Sequence, residues 1–335
     1  MTALLITSLH EYAGKTMLCA GLGQYWIDSG RKVGYFSPCF SESEMALKKH
    51  KSLSLLRHTL GLTESAEALY PLLPVDSAAV QAAFAAVSRG VDMMVIEGSY
   101  KHAELLSSAV GARILIVHDY ASDLSKALPE YIKLAGKLAG VVLNKVPAKK
   151  LPSIVKASEG TLAKAGLKLL GVIPENRILS ALSVGDLAEA LDGKILNNPE
   201  KSTDLIENLM LGSSTFDRGA AYYQRKNNKA VIVWGERPGY RKAALAALPQ
   251  LALQTSTRCV VICDAAVPLP AILQKAEEKG VPLVSVPGKL PEVIIKLEKA
   301  VAATFFAQEQ KISPLSSVLS AALNPRLLAG DFNIG

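Results

Sequence analysis

The sequence predicts an α/β protein made of two units, each built around a mainly parallel sheet. Short apolar runs of strand length recur along the chain, and helical stretches separate them. This strict alternation indicates parallel sheets that are covered on both faces. The pattern restarts after Pro174, and 335 residues with 50% hydrophobic content are enough for two cores.

The first unit is predicted over residues 1–174. It opens with the buried strand ALLIT (residues 3–7), and a helix with one apolar face follows from Lys15 to about Ser29. The stretch DSGRKVGYF then turns into a second strand. The remaining predicted strands are DMMVIEG (92–98), RILIVHD (113–119), GVVLNKV (140–146) and KLLGVIP (168–174).

The second, smaller unit is predicted over residues 175–310. Ser183 is a candidate N-cap for a helix in SVGDLAEALDGKIL. The strands KAVIVWG, TRCVVICD and VPLVSVP alternate with helices, and a long helix runs from about Pro291 to Gln308. Residues 311–335 mix Ser, Pro, Asn and Gly, which predicts a C-terminal arm or loose tail.

The net charge of +7 raises the question of a nucleic-acid partner. The densest basic stretches, residues 46–58 and 222–229, are both predicted as helices with one solvated face. Neither an RNP-like aromatic set nor zinc-finger spacing accompanies them, so nucleic-acid binding is not expected. The stretch 222–229 is instead a candidate surface for an acidic protein partner.

Nothing in the sequence indicates a membrane or an export route. No apolar run reaches the ~18–20 residues that span a bilayer, and the N-terminus lacks the basic start of a signal peptide. We therefore expect a cytoplasmic location. The four cysteines, at positions 19, 39, 259 and 263, make no CxxC pair and are expected to be buried, reduced thiols.

The segment SLHEYAGKTM (residues 8–17) follows the first strand and opens the first helix. It contains Gly14, Lys15 and Thr16, which match the end of a phosphate-binding loop. In such a loop backbone N–H groups surround the phosphates, the lysine adds a cation and the threonine hydroxyl holds Mg²⁺. The position, between a first strand and its helix, predicts a P-loop NTPase-like domain.

The glycine that opens a phosphate-binding loop is missing from this segment. The pattern requires it at Leu9, or at Ser8 in a loop with one more residue. An ordinary strand-to-helix turn is therefore the alternative interpretation of residues 8–17.

Two further strand ends carry suitable side chains. Glu97 ends DMMVIEG, and a carboxylate there can hold Mg²⁺ directly or through water, unless it only faces solvent. Asn144 ends a later strand, and its amide offers both a donor and an acceptor to an adenine edge. Together with the loop, these strand ends predict a site for ATP or ADP with Mg²⁺.

The stretches LLITSLHEYAGKTM, DMMVIEGS and GVVLNKV resemble the dethiobiotin-synthetase-like P-loop family over about residues 1–174. The resemblance is closer to the version that forms the N-terminal part of long phosphate acetyltransferases, in which the opening glycine is also commonly lost. It implies binding of ATP or a related nucleotide with Mg²⁺ through Lys15, Thr16, Glu97 and Asn144.

The chain also departs from that family. Ser37 stands where dethiobiotin synthetase has a lysine that helps to bind phosphate and the carbamate. The family's glycine-rich stretch after Glu-Gly is replaced by residues 99–101, and its second metal-binding Asp has only Glu42 and Glu44 as candidates. Dethiobiotin synthesis is therefore not expected.

A second candidate ligand site lies in VWGERPGYRKAALAA (residues 233–247), where Gly235, Glu236 and Arg237 separate a strand from a helix. A capped turn with a surface arginine is the alternative. The segment resembles the signature of DRTGG domains, and the resemblance extends over residues 175–308, with Glu236 replacing the usual Asp. It implies a regulatory domain that often forms dimers and that follows the P-loop part of long phosphate acetyltransferases; no acetyltransferase catalytic domain is recognised in the sequence.

The sequence thus predicts a nucleotide-binding regulatory protein with at most slow ATP hydrolysis. An ATP-dependent ligase or amidase acting on a small carboxylate is one alternative, and the missing Lys and Asp argue against it. A dimeric scaffold that binds no nucleotide is the other, and the missing loop glycine keeps it open.

A homodimer is expected through the second unit. The helix around residues 291–308 carries a broad apolar face that either pairs with another copy or packs on its own sheet. The residues of this face are Val293, Ile294, Leu297, Val301, Ala302, Phe305 and Phe306.

Overall fold

The computed structural model describes residues 1–212, 220–234, 253, 256–264, 268, 270–302 and 309–332. The chain divides into two compact units. The first combines residues 1–176 with residues 305–335, and the second comprises residues 177–304. The α/β class predicted from the sequence is confirmed.

The first unit contains a six-stranded parallel sheet. Its strands are β1 (Thr2–Thr7), β2 (Val33–Phe36), β3 (Met93–Glu97), β4 (Arg113–Asp119), β5 (Leu138–Val146) and β6 (Leu169–Pro174). Their spatial order is β2-β3-β1-β4-β5-β6. The helices of this unit before residue 177 are α1 (Lys15–Asp28), α2 (Glu42–Leu60), α3 (Ala66–Leu69), α4 (Ser77–Val87), α5 (Ala103–Val110), α6 (Leu124–Lys133) and α7 (Leu151–Lys164).

The strand β1 lies inside this sheet, between β3 and β4. All residues of β2 and β3 are buried, as are residues 3–7 of β1, which is why these strands read as continuous apolar runs rather than alternating ones. Strand order changes direction at β1, since β2 and β3 lie on one side and β4 to β6 on the other. Ligands of open α/β sheets bind at the carboxyl ends of strands at such a point.

The C-terminal residues do not form the arm or loose tail that their composition suggested. They form α12 (Glu309–Ala322) and α13 (Pro325–Ala329), which are preceded in the chain by the helices of the second unit and pack against α1. The indole Nε1 of Trp26 donates to the Leu328 carbonyl oxygen over 2.7 Å. Gly21 lets α12 approach α1 closely, because a Cβ there would overlap the Leu319 side chain.

The second unit contains a five-stranded sheet. Its strands are β8 (Lys194–Ile195), β10 (Asn208–Leu211), β11 (Lys229–Val233), β12 (Thr257–Ile262) and β13 (Leu283–Ser285), and a separate pair joins β7 (Leu182–Ser183) to β9 (Leu205–Ile206). The spatial order in the sheet is β10-β11-β12-β13-β8. Four strands are parallel, and the short edge strand β8 is antiparallel to β13. The described helices are α8 (Val184–Ala190), α9 (Ala220–Tyr223), α10 (Pro270–Glu278) and α11 (Leu290–Ala302).

Ser183 caps α8 as expected. Its hydroxyl accepts from the Asp186 N–H while the Asp186 carboxylate accepts from the Ser183 N–H, which is a capping box. The basic stretch 222–229 differs from the expectation of a helix, because α9 ends at Tyr223 and β11 begins at Lys229. Lys229 is fully buried and its ammonium donates to the Ser256 carbonyl oxygen. Burial lowers the pKa of this lysine.

The apolar face predicted on the last helix of the second unit is partly covered within the chain. Val293 and Leu297 are buried, and Ile294 is half-buried. Phe305 and Phe306 lie outside the described residues, as do the side chains of Val301 and Ala302.

None of the described helices combines the length and hydrophobicity that a membrane-spanning segment requires. All four cysteines are buried thiols.

Candidate functional site

The loop of residues 8–14 joins the carboxyl end of β1 to the N-terminus of α1. Ser8, Ala13 and Gly14 are buried, whereas His10 and Glu11 are exposed. The loop therefore lies at the strand end where the order of the sheet changes direction, with its tip open to solvent.

Gly14 is the N-cap of α1 and has a left-handed backbone conformation (φ 103°). A side chain is disfavoured here for two reasons. L-residues rarely adopt this conformation, and a Cβ atom would overlap Nδ2 of Asn144. The glycine of the Gly-Lys-Thr segment is thus required by the close approach of β5 to the loop.

The backbone N–H groups of residues 9–12 and 14–17 donate to no protein acceptor in the part of the chain that the structure describes, and residues 11 and 12 form a turn. At the start of α1 the Leu18 N–H donates to the Gly14 carbonyl oxygen over 3.0 Å. Unpaired N–H groups at the N-terminus of a helix, together with its dipole, favour an anion. This arrangement can receive the oxygens of a phosphate group.

Lys15 is half-buried, and its ammonium lies over the loop. It donates to the Ser8 hydroxyl oxygen over 3.0 Å, and that hydroxyl donates in turn to the His10 carbonyl oxygen over 2.7 Å. Ser8 is one of the two positions at which the missing opening glycine was required. The serine hydroxyl at this position accepts the hydrogen bond from Lys15.

Thr16 and Glu97, which the sequence analysis selected separately, contact each other. The Thr16 hydroxyl donates to Glu97 Oε1 over 2.9 Å, and the Tyr35 hydroxyl donates to Oε2 over the same distance. Glu97 is only 4% exposed, and no described lysine or arginine pairs with it. A buried carboxylate is costly unless it is compensated, and here two hydroxyl donors supply the compensation.

The tyrosines around Glu97 keep their protons. Burial raises the pKa of Tyr35 well above its usual value, and the negative charge of Glu97 raises it further. Burial and the same charge also raise the pKa of Tyr70, whose ring lies 5.7 Å from that of Tyr35. Tyr35 therefore remains a hydrogen-bond donor to Glu97 throughout the physiological pH range.

The residues near Thr16 fit Mg²⁺ of the kind that accompanies a nucleotide. Among the described residues there is no group of three or more His, Cys, Asp or Glu side chains that could hold a metal ion by themselves. Mg²⁺ in nucleotide sites takes one or two protein ligands and completes its shell with phosphate oxygens and water. Thr16 Oγ1 and Glu97 Oε1 lie 2.9 Å apart and can supply these two protein ligands.

Asn144 lies beside the loop rather than at a distance from it. Its Nδ2 donates to the Ala13 carbonyl oxygen over 2.8 Å, and its Oδ1 accepts from the Lys145 N–H over 2.9 Å. Nδ2 can donate one more hydrogen bond and Oδ1 can accept one more, so the side chain retains a donor and an acceptor for an adenine edge.

The sequence analysis missed two candidate site residues, Lys145 and Asp119. Lys145 donates through Nζ to the Tyr12 carbonyl oxygen and to Asp119, which ends the neighbouring strand. Asp119 and Lys145 each lie one residue beyond an apolar strand run, after His118 and Asn144, and that position was the available signal.

The structure places the three residues Ser37, Glu42 and Glu44 that the sequence analysis singled out. Ser37 is fully buried, and its hydroxyl donates to the Glu97 carbonyl oxygen over 2.9 Å. Glu44 lies in the first turn of α2 and accepts from the Phe40 N–H over 3.1 Å, and Glu42 is exposed in the same turn. These two glutamates are thus placed at a helix N-terminus, where carboxylates are favoured without a metal.

The site predicted at Gly235, Glu236 and Arg237 lies outside the described residues.

Comparison with known proteins gives a family for part of the chain. Residues 186–300 match the model of the DRTGG domain. The chain is therefore an α/β protein with a six-stranded parallel sheet and a DRTGG domain in its C-terminal half.

Three solved structures illustrate what this chain is similar to. The MinC:MinD cell division protein complex of Aquifex aeolicus is 18% identical, over 53% of this chain and 84% of that chain, with a TM-score of 0.38. The CBS and DRTGG domains of the regulatory region of Clostridium perfringens pyrophosphatase, complexed with the activator diadenosine tetraphosphate, are 11% identical over 50% and 75%, with a TM-score of 0.31. The cell division protein FtsY of Thermotoga maritima is 17% identical over 52% and 62%, with a TM-score of 0.34.

Proposed function

We propose that this chain is a nucleotide-binding regulatory protein whose first unit binds ATP or ADP with Mg²⁺. The observation that carries the proposal is the Gly14-Lys15-Thr16 segment at the junction of β1 and α1, with unpaired loop N–H groups on one side and a buried carboxylate on the other. Backbone donors, a cation and a metal-binding pair are the three things a nucleoside polyphosphate requires.

Each group has a role in this proposal. The N–H groups of residues 9–12 and 14–17 receive phosphate oxygens, and Lys15 leaves Ser8 to neutralise the outer phosphates. Thr16 and Glu97 hold Mg²⁺, Glu97 directly or through water, and the metal neutralises phosphate charge when bound. Asn144 contributes one hydrogen bond to the base from the end of β5.

A ligase or amidase of the dethiobiotin synthetase group is disfavoured by one contact. Ser37 is buried and bonded to the Glu97 backbone, so the end of β2 offers no cation to a phosphorylated or carbamylated substrate. We propose no reaction at this site beyond slow ATP hydrolysis. It would serve to change the state of the protein rather than to make a product.

The DRTGG match supports a regulatory role for the second unit. We propose that the chain corresponds to the two N-terminal domains of long phosphate acetyltransferases, and that the second unit binds an effector near Gly235, Glu236 and Arg237. The exposed Arg225 remains a candidate contact for an acidic protein partner, whereas Lys229 is removed from that surface by burial.

We also propose that the protein is a homodimer that pairs through the second unit. Ile295 on α11 is 55% exposed, and Leu211 on the edge strand β10 is 44% exposed. Light scattering on the full chain at tens of micromolar should give the dimer mass, and Ile295→Glu should shift it toward the monomer. A monomer mass for the unmodified chain contradicts this part of the proposal.

Calorimetric titration with ADP and Mg²⁺ tests the nucleotide site. Lys15→Ala should weaken binding at least tenfold, which corresponds to about 1.4 kcal/mol. Lys156→Ala is the matched control, because Lys156 is exposed on α7 of the same unit. Absence of binding by the unmodified chain at millimolar nucleotide would favour the scaffold alternative, and equal binding by all three proteins would remove the site from this loop.

A further inference from the structure

The end of β5 holds two consecutive carbonyl groups of the loop. Asn144 Nδ2 donates to the Ala13 carbonyl oxygen over 2.8 Å, and Lys145 Nζ donates to the Tyr12 carbonyl oxygen over 2.6 Å. The residues that these bonds connect are 131 and 133 positions apart in sequence.

The ammonium of Lys145 is itself fixed by the neighbouring strand. It lies 2.8 Å from Asp119 Oδ2, and the other carboxylate oxygen of Asp119 accepts from the Ala121 N–H over 2.9 Å. The side chain of Asp119 is 14% exposed and that of Lys145 is 36% exposed, so solvent screens this pair less than a surface ion pair. The cation is therefore anchored to the sheet and not only to the loop.

The backbone around this contact is strained at two residues that are not glycine. Tyr12 has a φ of 58° and Lys145 has a φ of 62°, both in the left-handed region that L-residues rarely adopt. Such conformations persist only where surrounding contacts over-determine them. The hydrogen bond from Lys145 to the Tyr12 carbonyl oxygen links the two strained residues directly.

The contact also sets the direction of the loop N–H groups. In a trans peptide unit the C=O and N–H bonds point in opposite directions. Because the carbonyl groups of Tyr12 and Ala13 point to β5, the N–H groups of Ala13 and Gly14 point away from it. The Gly14 N–H donates to no acceptor in the described residues.

We propose that Lys145, anchored by Asp119, is a positioning residue that holds the loop in its anion-binding conformation. A glycine at position 12 would adopt this conformation freely, whereas here the residue is Tyr12 and a side chain from another strand imposes the conformation. The proposal rests on the proposed function in that the bound anion is the phosphate of a nucleotide.

Proteolysis of the nucleotide-free protein tests the loop conformation without any ligand. Chymotrypsin cleaves after tyrosine, and mass spectrometry can follow cleavage after Tyr12. Lys145→Met and Asp119→Asn should each accelerate this cleavage about tenfold relative to cleavage elsewhere in the chain. Lys149→Met is the matched control, since Lys149 is exposed four positions further on, and it should cleave like the unmodified protein.

Calorimetry with ADP and Mg²⁺ on the same variants tests the consequence. Lys145→Met should bind about tenfold more weakly, Lys145→Arg should recover part of the loss, and Lys149→Met should bind normally. Unchanged cleavage after Tyr12 in both Lys145→Met and Asp119→Asn overturns the proposal. Faster cleavage with unchanged affinity overturns its link to anion binding.

The two proposals fail in different ways. If the unmodified protein binds no nucleotide, the proposed function is overturned. Cleavage after Tyr12 then still decides whether Lys145 holds the loop.

Discussion

The hydroxyl of Thr16 donates to Glu97 Oε1 over 2.9 Å and so joins the first turn of α1 to the end of β3. The two residues are 81 positions apart in sequence, and both are buried. The groups that we propose to share Mg²⁺ therefore contact each other directly in the protein alone. The Thr16 hydroxyl oxygen keeps its lone pairs for a metal ion while its proton is donated to Glu97.

Glu97→Gln should remove the effect of Mg²⁺ on nucleotide binding while largely preserving the shape of the site. The neutral amide is a poor Mg²⁺ ligand, so affinity for ADP should become the same with Mg²⁺ and with a chelator. Calorimetry under both conditions measures this. Glu104→Gln, which changes an exposed carboxylate on α5, should retain the Mg²⁺ effect, and its retention by Glu97→Gln would refute the metal assignment.

Gly14→Ala should destabilise the protein more than Gly30→Ala. Both glycines have positive φ, so each alanine incurs a backbone penalty of about 1–2 kcal/mol. Only the Cβ at position 14 also overlaps Asn144, whereas the space around Gly30 is open. Urea denaturation should show an additional loss of about 1–3 kcal/mol for Gly14→Ala. Adding Asn144→Ala should recover part of this loss, and equal destabilisation at the two glycines would contradict the proposed close approach.

Leu319→Ala should reveal that the C-terminal helices belong to the core of the first unit. Leu319 is 2% exposed and lies against Gly21 of α1, so its truncation should reduce the free energy of unfolding by about 2–5 kcal/mol. Leu72→Ala, at a side chain that is 46% exposed, should change it by about 0.5 kcal/mol or less. Equal effects in urea denaturation would mean that residues 309–332 are dispensable for this core.

His118 should make the protein less stable as the pH falls below the ordinary pKa of histidine. Burial lowers its pKa in the folded state, and the imidazole is bonded to the Tyr131 hydroxyl and the Ser122 carbonyl oxygen. The unfolded state consequently binds more protons between the ordinary histidine pKa and the lowered one. Stability therefore falls with decreasing pH through that interval and levels off below it.

Urea denaturation at several pH values between 7.5 and 5 measures this effect. His118→Gln should show a smaller decrease than the unmodified protein, whereas His58→Gln, at an exposed histidine, should not. Identical pH profiles for the unmodified protein and His118→Gln would show that His118 is not the group responsible.

The local elements of this protein were determined by the sequence. The run of residues 113–119 became β4 without a change of bounds, and α1 begins at Lys15, as predicted. Such features depend on a few adjacent residues, since a buried parallel strand must be continuously apolar and an N-terminal phosphate site must follow it. The α/β class follows from the alternation of these elements.

Only the tertiary structure decided which strand ends meet. The strand order places β4 beside β1 and β5 beside β4, and this brings Asn144 and Lys145 onto the loop carbonyl groups of Ala13 and Tyr12. Sequence pattern gives the face of a strand but not its neighbours, because pairing between distant strands is set by the packing of the whole sheet.

The C-terminal segment shows the same limit. Its Ser, Pro, Asn and Gly content predicted a tail, yet Leu315 and Leu319 are buried against α1. A short amphipathic helix gains most of its stability from the surface that it covers. That surface, opened by Gly21 on a helix some 300 positions earlier, exists only in the folded chain.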